Sequence, residues 1–114
     1  MGKYKVLVAD SSSVYKKMFT QAISEVCKTV SVSCAANSDE ALELIKHKNF
    51  DLLIIDADIP GLGMAGLINA VMQVIPKAFI LVTVRPSKIE KKLILDALSA
   101  GASASASAGE KNAF

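Results

Sequence analysis

Cysteine and histidine are scarce in this 114-residue sequence, with two of the former and one of the latter. Cys27 and Cys34 are too few for a disulfide framework, so their expected role is that of small core residues. His47 sits between lysines in KHKN and has no companion ligands, which argues against a metal site there and for a solvated helix end. Long hydrophobic runs are also missing: none approaches the roughly 18 apolar residues that a membrane span needs. The first residues, MGKYKVLVAD, meet Asp10 too early for a secretion signal, so the cytoplasm is the expected location. Charge of one sign is lacking too. The formal net charge is +2, and the lysines are scattered apart from the pairs at 16–17 and 91–92. With no basic stripe interleaved with aromatics, direct nucleic-acid binding is not indicated.

What the sequence has in excess is apolar: 52% of residues, in short runs of Val, Ile, Leu and Ala. One domain over residues 1–114 is the natural count, long enough to bury a core without metal or disulfide staples. Lys3 to Ala9 ends in a compact apolar run, as a strand covered on both faces would. Ser11 to Ser13 offer N-caps, and Val14, Met18, Ala22 and Val26 then recur at i, i+4 beside Tyr15, Phe19 and Ile23, predicting an amphipathic helix. Thr29 to Ala35 reads as a second strand. Asn37 or Ser38 caps the next helix, with Asp39 and Glu40 in its first turn, where the dipole favours acids. Asp51 to Ile55 is a buried strand that stops at Asp56. A Pro/Gly-rich loop and a helix to about Val74 follow, and Pro76 breaks that helix. Ala78 to Thr83 is a fourth strand, and Pro86-Ser87 opens a helix that Gly101 closes. This alternation argues for a parallel sheet with helices on both faces. Residues 102–114 are atypical. ASASASA can supply only a weak fifth strand, and Glu110 to Phe114 leave a truncated or missing fifth helix.

Ligands of open parallel sheets bind outside the carboxyl ends of the strands. Asp10 closes the first strand, Asp56 the third, Asp58 lies in the loop beyond it, and Thr83 closes the fourth. Carboxylates converging there would hold a small hard cation such as Mg²⁺, and a carboxylate beside such an ion can accept a phosphoryl group. Any one of these aspartates alone is more simply a loop residue; four polar groups at the same end of successive strands reverse that preference.

The segments VLVADSSSV, DLLIIDADIPG, ILVT and ALSAGA, in this order and spacing, resemble the receiver domain of two-component response regulators over residues 3 to about 104. The resemblance implies a doubly wound, five-stranded parallel sheet in the flavodoxin-like order 2-1-3-4-5. It also implies phosphorylation of Asp56 by a partner histidine kinase with Mg²⁺, a metal site of Asp10, Asp56 and Asp58 (the last through its backbone carbonyl), and a switch hydroxyl on Thr83. The chain would be a phosphoacceptor rather than an enzyme. Its partners would be the kinase and a downstream effector or output domain, with a homodimer as a further expectation and no membrane. Three departures bear on this. Ser11 stands where the family has a second acid, which weakens the expected metal site. PGLGMAGL is two residues longer than the family's loop. Ala108 and Gly109 hold the places of a Lys-Pro pair.

Two rival readings remain. GLGMAG at 61–66 matches G-x-G-x-x-G, a dinucleotide-binding pattern, with Arg85 available to a 2′-phosphate; however, the motif does not directly follow a strand. The stronger rival is a receiver-like interaction or dimerisation module that no longer uses phosphate, favoured by Ser11 and the absent lysine.

Overall fold

Strands form where the apolar runs are most compact. In the computed structural model, which describes residues 4–85 and 97–107, these are β1 (Tyr4–Ala9), β2 (Val30–Ala35), β3 (Leu52–Asp56), β4 (Phe79–Val84) and β5 (Ala104–Ser107). They make one parallel sheet in the order β2-β1-β3-β4-β5. Between them run α1 (Ser13–Val26), α2 (Ser38–His47) and α3 (Gly63–Val74). The expected doubly wound architecture and strand order are therefore present, including a fifth strand of four residues on β4. The helix expected from Pro86 is described only at 97–100. Gly101 follows it with φ +122°, the left-handed conformation that favours glycine after a helix. The expectation for a fifth helix falls on 108–114, outside the described residues.

Side-chain alternation along the strands divides the core in two. Leu7, Ala9, Leu53, Ile55, Ile80 and Val82 bury one face beneath α2 and α3, against Ala41, Ile45, Leu67, Ile68 and Val71. Val6, Val8 and Ile54 point the other way, towards Phe19 and Ile23 of α1.

α1 departs from expectation. It buries no residue completely, and the stripe that packs is Tyr15, Phe19 and Ile23. Val14 is 71% and Val26 89% exposed. Both stripes recur at i, i+4, but they lie about 100° apart on the helix. The stripe with the larger aromatic and branched side chains takes the sheet, because it buries more apolar area. The cysteines are not core residues either. Cys27 ends α1 half-buried, and Cys34 is exposed on β2, an edge strand with a neighbour on one side only. His47 ends α2 as expected, exposed, 3.0 Å from Glu43.

Candidate functional site

Because every strand runs the same way, the carboxyl ends of β1, β3 and β4 lie side by side. Asp10 follows β1 directly, and its backbone N–H donates to the Ala35 carbonyl at 2.9 Å. Its Oδ1 accepts the Ser12 N–H at 2.9 Å, an Asx turn. The Ser12 hydroxyl then accepts the Tyr15 N–H at 3.3 Å and caps α1. The turn that presents the carboxylate thus also starts the helix. Asp56, the last residue of β3, is the register partner of Thr83 on β4. The strands stay paired one step further, where the Ala57 N–H donates to the Thr83 carbonyl at 2.9 Å. Asp10, Asp56 and Thr83 are 1%, 4% and 2% exposed, and ionisable groups are rarely buried so deeply without a partner.

The partner is Arg85. Its Nη2 donates to both carboxylate oxygens of Asp10 at 3.0 Å. Its Nη1 lies 3.8 Å from Asp56 Oδ1, too far for a hydrogen bond. The guanidinium also stacks on Tyr15, with its central carbon 3.6 Å from the ring centroid, a cation–π contact. Three buried polar atoms remain without a hydrogen-bond partner among the described residues: Asp56 Oδ1, Thr83 Oγ1 and Arg85 Nη1. Native structures leave few such atoms, and each calls for an explanation.

The electrostatics follow from this arrangement. Burial, with the nearby Asp10 charge, pushes the Asp56 carboxyl above the ordinary carboxylate range, although Arg85 and the Asp58 backbone amide oppose the shift. Burial acts against the Arg85 cation, but the hydrogen bond to Asp10 and the charges of Asp56 and Asp10 outweigh it and raise its pKa. Asp56 is therefore a poorly solvated anion beside a firmly held cation.

Of the residues expected from sequence, Asp10, Asp56 and Thr83 come together, whereas the side chain of Asp58 is exposed. The side-chain donors alone do not make the divalent-cation site that the resemblance implies. Both oxygens of Asp10 accept from Arg85, Ser11 is exposed and carries no charge, and among the described residues no three His, Cys, Asp or Glu side chains are grouped to hold a metal. The residue that sequence reasoning undervalued is Arg85. A signal was available: Arg85 is two residues after Thr83, so strand alternation puts both on the same side.

Of the glycines of GLGMAG, Gly61 shapes the loop, whereas Gly63 begins α3 and Gly66 lies within it. Gly61 has φ +102°, and a side chain there would run into Ser38 Oγ. Ser38, buried at the start of α2, donates its N–H to the Pro60 carbonyl at 2.9 Å and accepts the Leu62 N–H on its hydroxyl at 2.7 Å. Ser38 thus ties the loop after Asp56 to α2, a role that its position near a helix start did not reveal; Asn37 is the cap.

Comparison with known proteins agrees with this fold. The family described as response regulator receiver domain matches residues 6–105. A protein-glutamate methylesterase/protein-glutamine glutaminase of Photobacterium profundum is 30% identical over 98 residues, which is 86% of this chain and 25% of that protein. The glycerol metabolism activator of Pseudomonas putida is 29% identical over 101 residues, 87% of this chain and 44% of that one. The chain thus spans less than half the length of either relative. A Burkholderia pseudomallei response regulator, whose crystal structure holds a phosphorylated aspartic acid, a calcium ion and citrate, superposes with a TM-score of 0.84 at 22% identity, over 95% of this chain and 61% of that one. A receiver domain protein of Methanospirillum hungatei superposes with a TM-score of 0.85 at 18% identity, covering 96% and 84%. At such identities the structures speak for the fold alone, but the sequence match spans most of the chain, which belongs to the response regulator receiver domain family.

Proposed function

We propose that this chain is a phosphoacceptor that takes a phosphoryl group on Asp56 from the phosphohistidine of a partner kinase and thereby alters a surface read by an effector or output domain. The observation that carries this reading is the set of three unpartnered buried atoms around Asp56. A phosphoryl group on Asp56 would bring oxygens that accept from the Thr83 hydroxyl and from Arg85 Nη1, which would end their isolation. In the transfer, an Asp56 carboxylate oxygen attacks phosphorus, the P–N bond to the donor imidazole breaks, and the imidazole nitrogen keeps that electron pair. The acyl phosphate carries about two negative charges where Asp56 carried one, so the site must supply positive charge, and Arg85 is placed to do so.

No helix among the described residues is long and apolar enough to cross a membrane, and the free cysteines are in keeping with work in the cytoplasm. A single domain over residues 1–114, with a second copy as a further partner, completes the reading. The esterase and glutaminase activities belong to relatives of which this chain matches a quarter; phosphoacceptance alone is proposed for it. Incubation with phosphoramidate followed by intact-mass analysis tests this. One added phosphoryl group is expected on the wild type and none on Asp56→Asn. An unchanged mass in a folded wild-type sample would instead favour the phosphate-independent interaction module.

A further inference from the structure

We propose that the guanidinium of Arg85 is the resident cation of this site, standing in for a bound divalent ion both in neutralising Asp10 and Asp56 and in receiving the oxygens of the phosphoryl group. The second half rests on Asp56 being the phosphoacceptor; the first does not.

The geometry is that of a cation built into the protein. Asp10 is 1% exposed and would be a costly isolated anion, because a buried carboxylate needs a partner and hydrogen bonds. Arg85 provides them through two contacts of 3.0 Å from a single nitrogen. That leaves the other terminal nitrogen, Nη1, unpartnered on the side facing Asp56. Tyr15 holds the guanidinium from α1, and Arg85 directly follows β4. Planar, always charged and weakly hydrated, a guanidinium suits such a buried position and the recognition of phosphoryl oxygens. A divalent ion would need the Asp10 oxygens that Arg85 occupies. Cation and metal therefore compete for one carboxylate, and the tethered cation is always present. Ser11, next to Asp10, adds no negative charge for a metal. Positive charge from an arginine stabilises the charge that develops on the oxygens of a transferring phosphoryl group.

The test has two arms on the full chain. In the first, Mn²⁺ is titrated and followed by its paramagnetic resonance signal. Wild type should show no saturable site at millimolar ion, and Arg85→Gln should acquire one at least about tenfold tighter, as release of Asp10 from its competitor requires. In the second, phosphoramidate labelling is followed by mass in EDTA and in Mg²⁺. The expected step forms a P–O bond on Asp56, breaks the P–N bond and releases ammonia. Wild type should label about equally in both media, while Arg85→Gln should fall at least about tenfold in EDTA and recover in Mg²⁺. Saturable Mn²⁺ binding by wild type as tight as that of Arg85→Gln would overturn the proposal, and so would a tenfold loss of wild-type labelling in EDTA. These wild-type results decide it even if Arg85→Gln does not fold. Absence of labelling in every sample would refute the phosphoacceptor reading and with it the second half of the proposal; the Mn²⁺ titration would still decide the first.

Discussion

The ends of β1 and β3 carry one buried aspartate each, a single strand apart, and they are finished differently. Asp10 is partnered: its oxygens accept from Ser12 and Arg85, and it anchors the turn into α1. Asp56 is left open, with Oδ1 unpartnered, a hydroxyl without a partner across the register pair, and a cation held 3.8 Å away. Leaving a buried polar group unmade costs about 1–3 kcal/mol, a cost that a structural aspartate has no reason to carry. On the proposed reading, Asp10 holds the cation whereas Asp56 is kept available for chemistry.

The largest effect should come from breaking the closed half. Arg85→Ala leaves Asp10 charged, buried and unpaired, and should cost about 3 kcal/mol, the low end for a broken buried pair because Arg85 is itself partly exposed. Adding Asp10→Asn in that background should restore more than half of the loss. Denaturant unfolding of the two single variants and the double variant measures this coupling; additive losses would show that the pair is not the reason for the arrangement.

A smaller and opposite effect is expected in the open half. Thr83→Val removes a buried hydroxyl that has no partner and should leave the unphosphorylated protein as stable as wild type or up to about 1 kcal/mol more stable. The same variant should lose any phosphate-dependent hydrogen-exchange protection along β4. A clear loss of stability without phosphate would mean that the hydroxyl is already satisfied.

The smallest effect is one of pH. Because the Asp56 pKa is raised in the folded state by burial and by Asp10, the folded protein holds its proton more strongly than the unfolded chain does. Stability should therefore fall as pH rises from the ordinary carboxylate range through the raised value, and the ionised group should remain a liability above it. Asp56→Asn removes that liability. Its melting temperature should exceed that of wild type at neutral pH, and the gap should close on acidification. The groups facing Asp56 are Asp10, Arg85 and Asp58, so the same comparison in Asp58→Asn reports how much of the shift the Asp58 charge contributes. A gap that does not change with pH would contradict the assignment.

Much of this was legible in the sequence. Parallel strands covered on both faces read as continuous apolar runs, so VLVA, DLLII and FILV declared themselves, and polar residues ending each run marked the same edge of the sheet. What could not be read had physical causes. Two i, i+4 stripes compete on α1, and only the assembled sheet decides between them. The aspartates suggest a metal, but the sequence does not show that a cation two residues beyond Thr83 folds back beside them. Cys34 looks like a core residue until β2 proves to be a sheet edge.

The most direct measurement is to locate the label. An acyl phosphate on aspartate is reduced by borohydride to homoserine, and peptide mass mapping then gives its position. After phosphoramidate treatment in EDTA, homoserine is expected at position 56, with aspartate intact at 10 and 58. Homoserine at 10 or 58, or at none of the three in a folded sample, would contradict the division of labour between the two buried carboxylates.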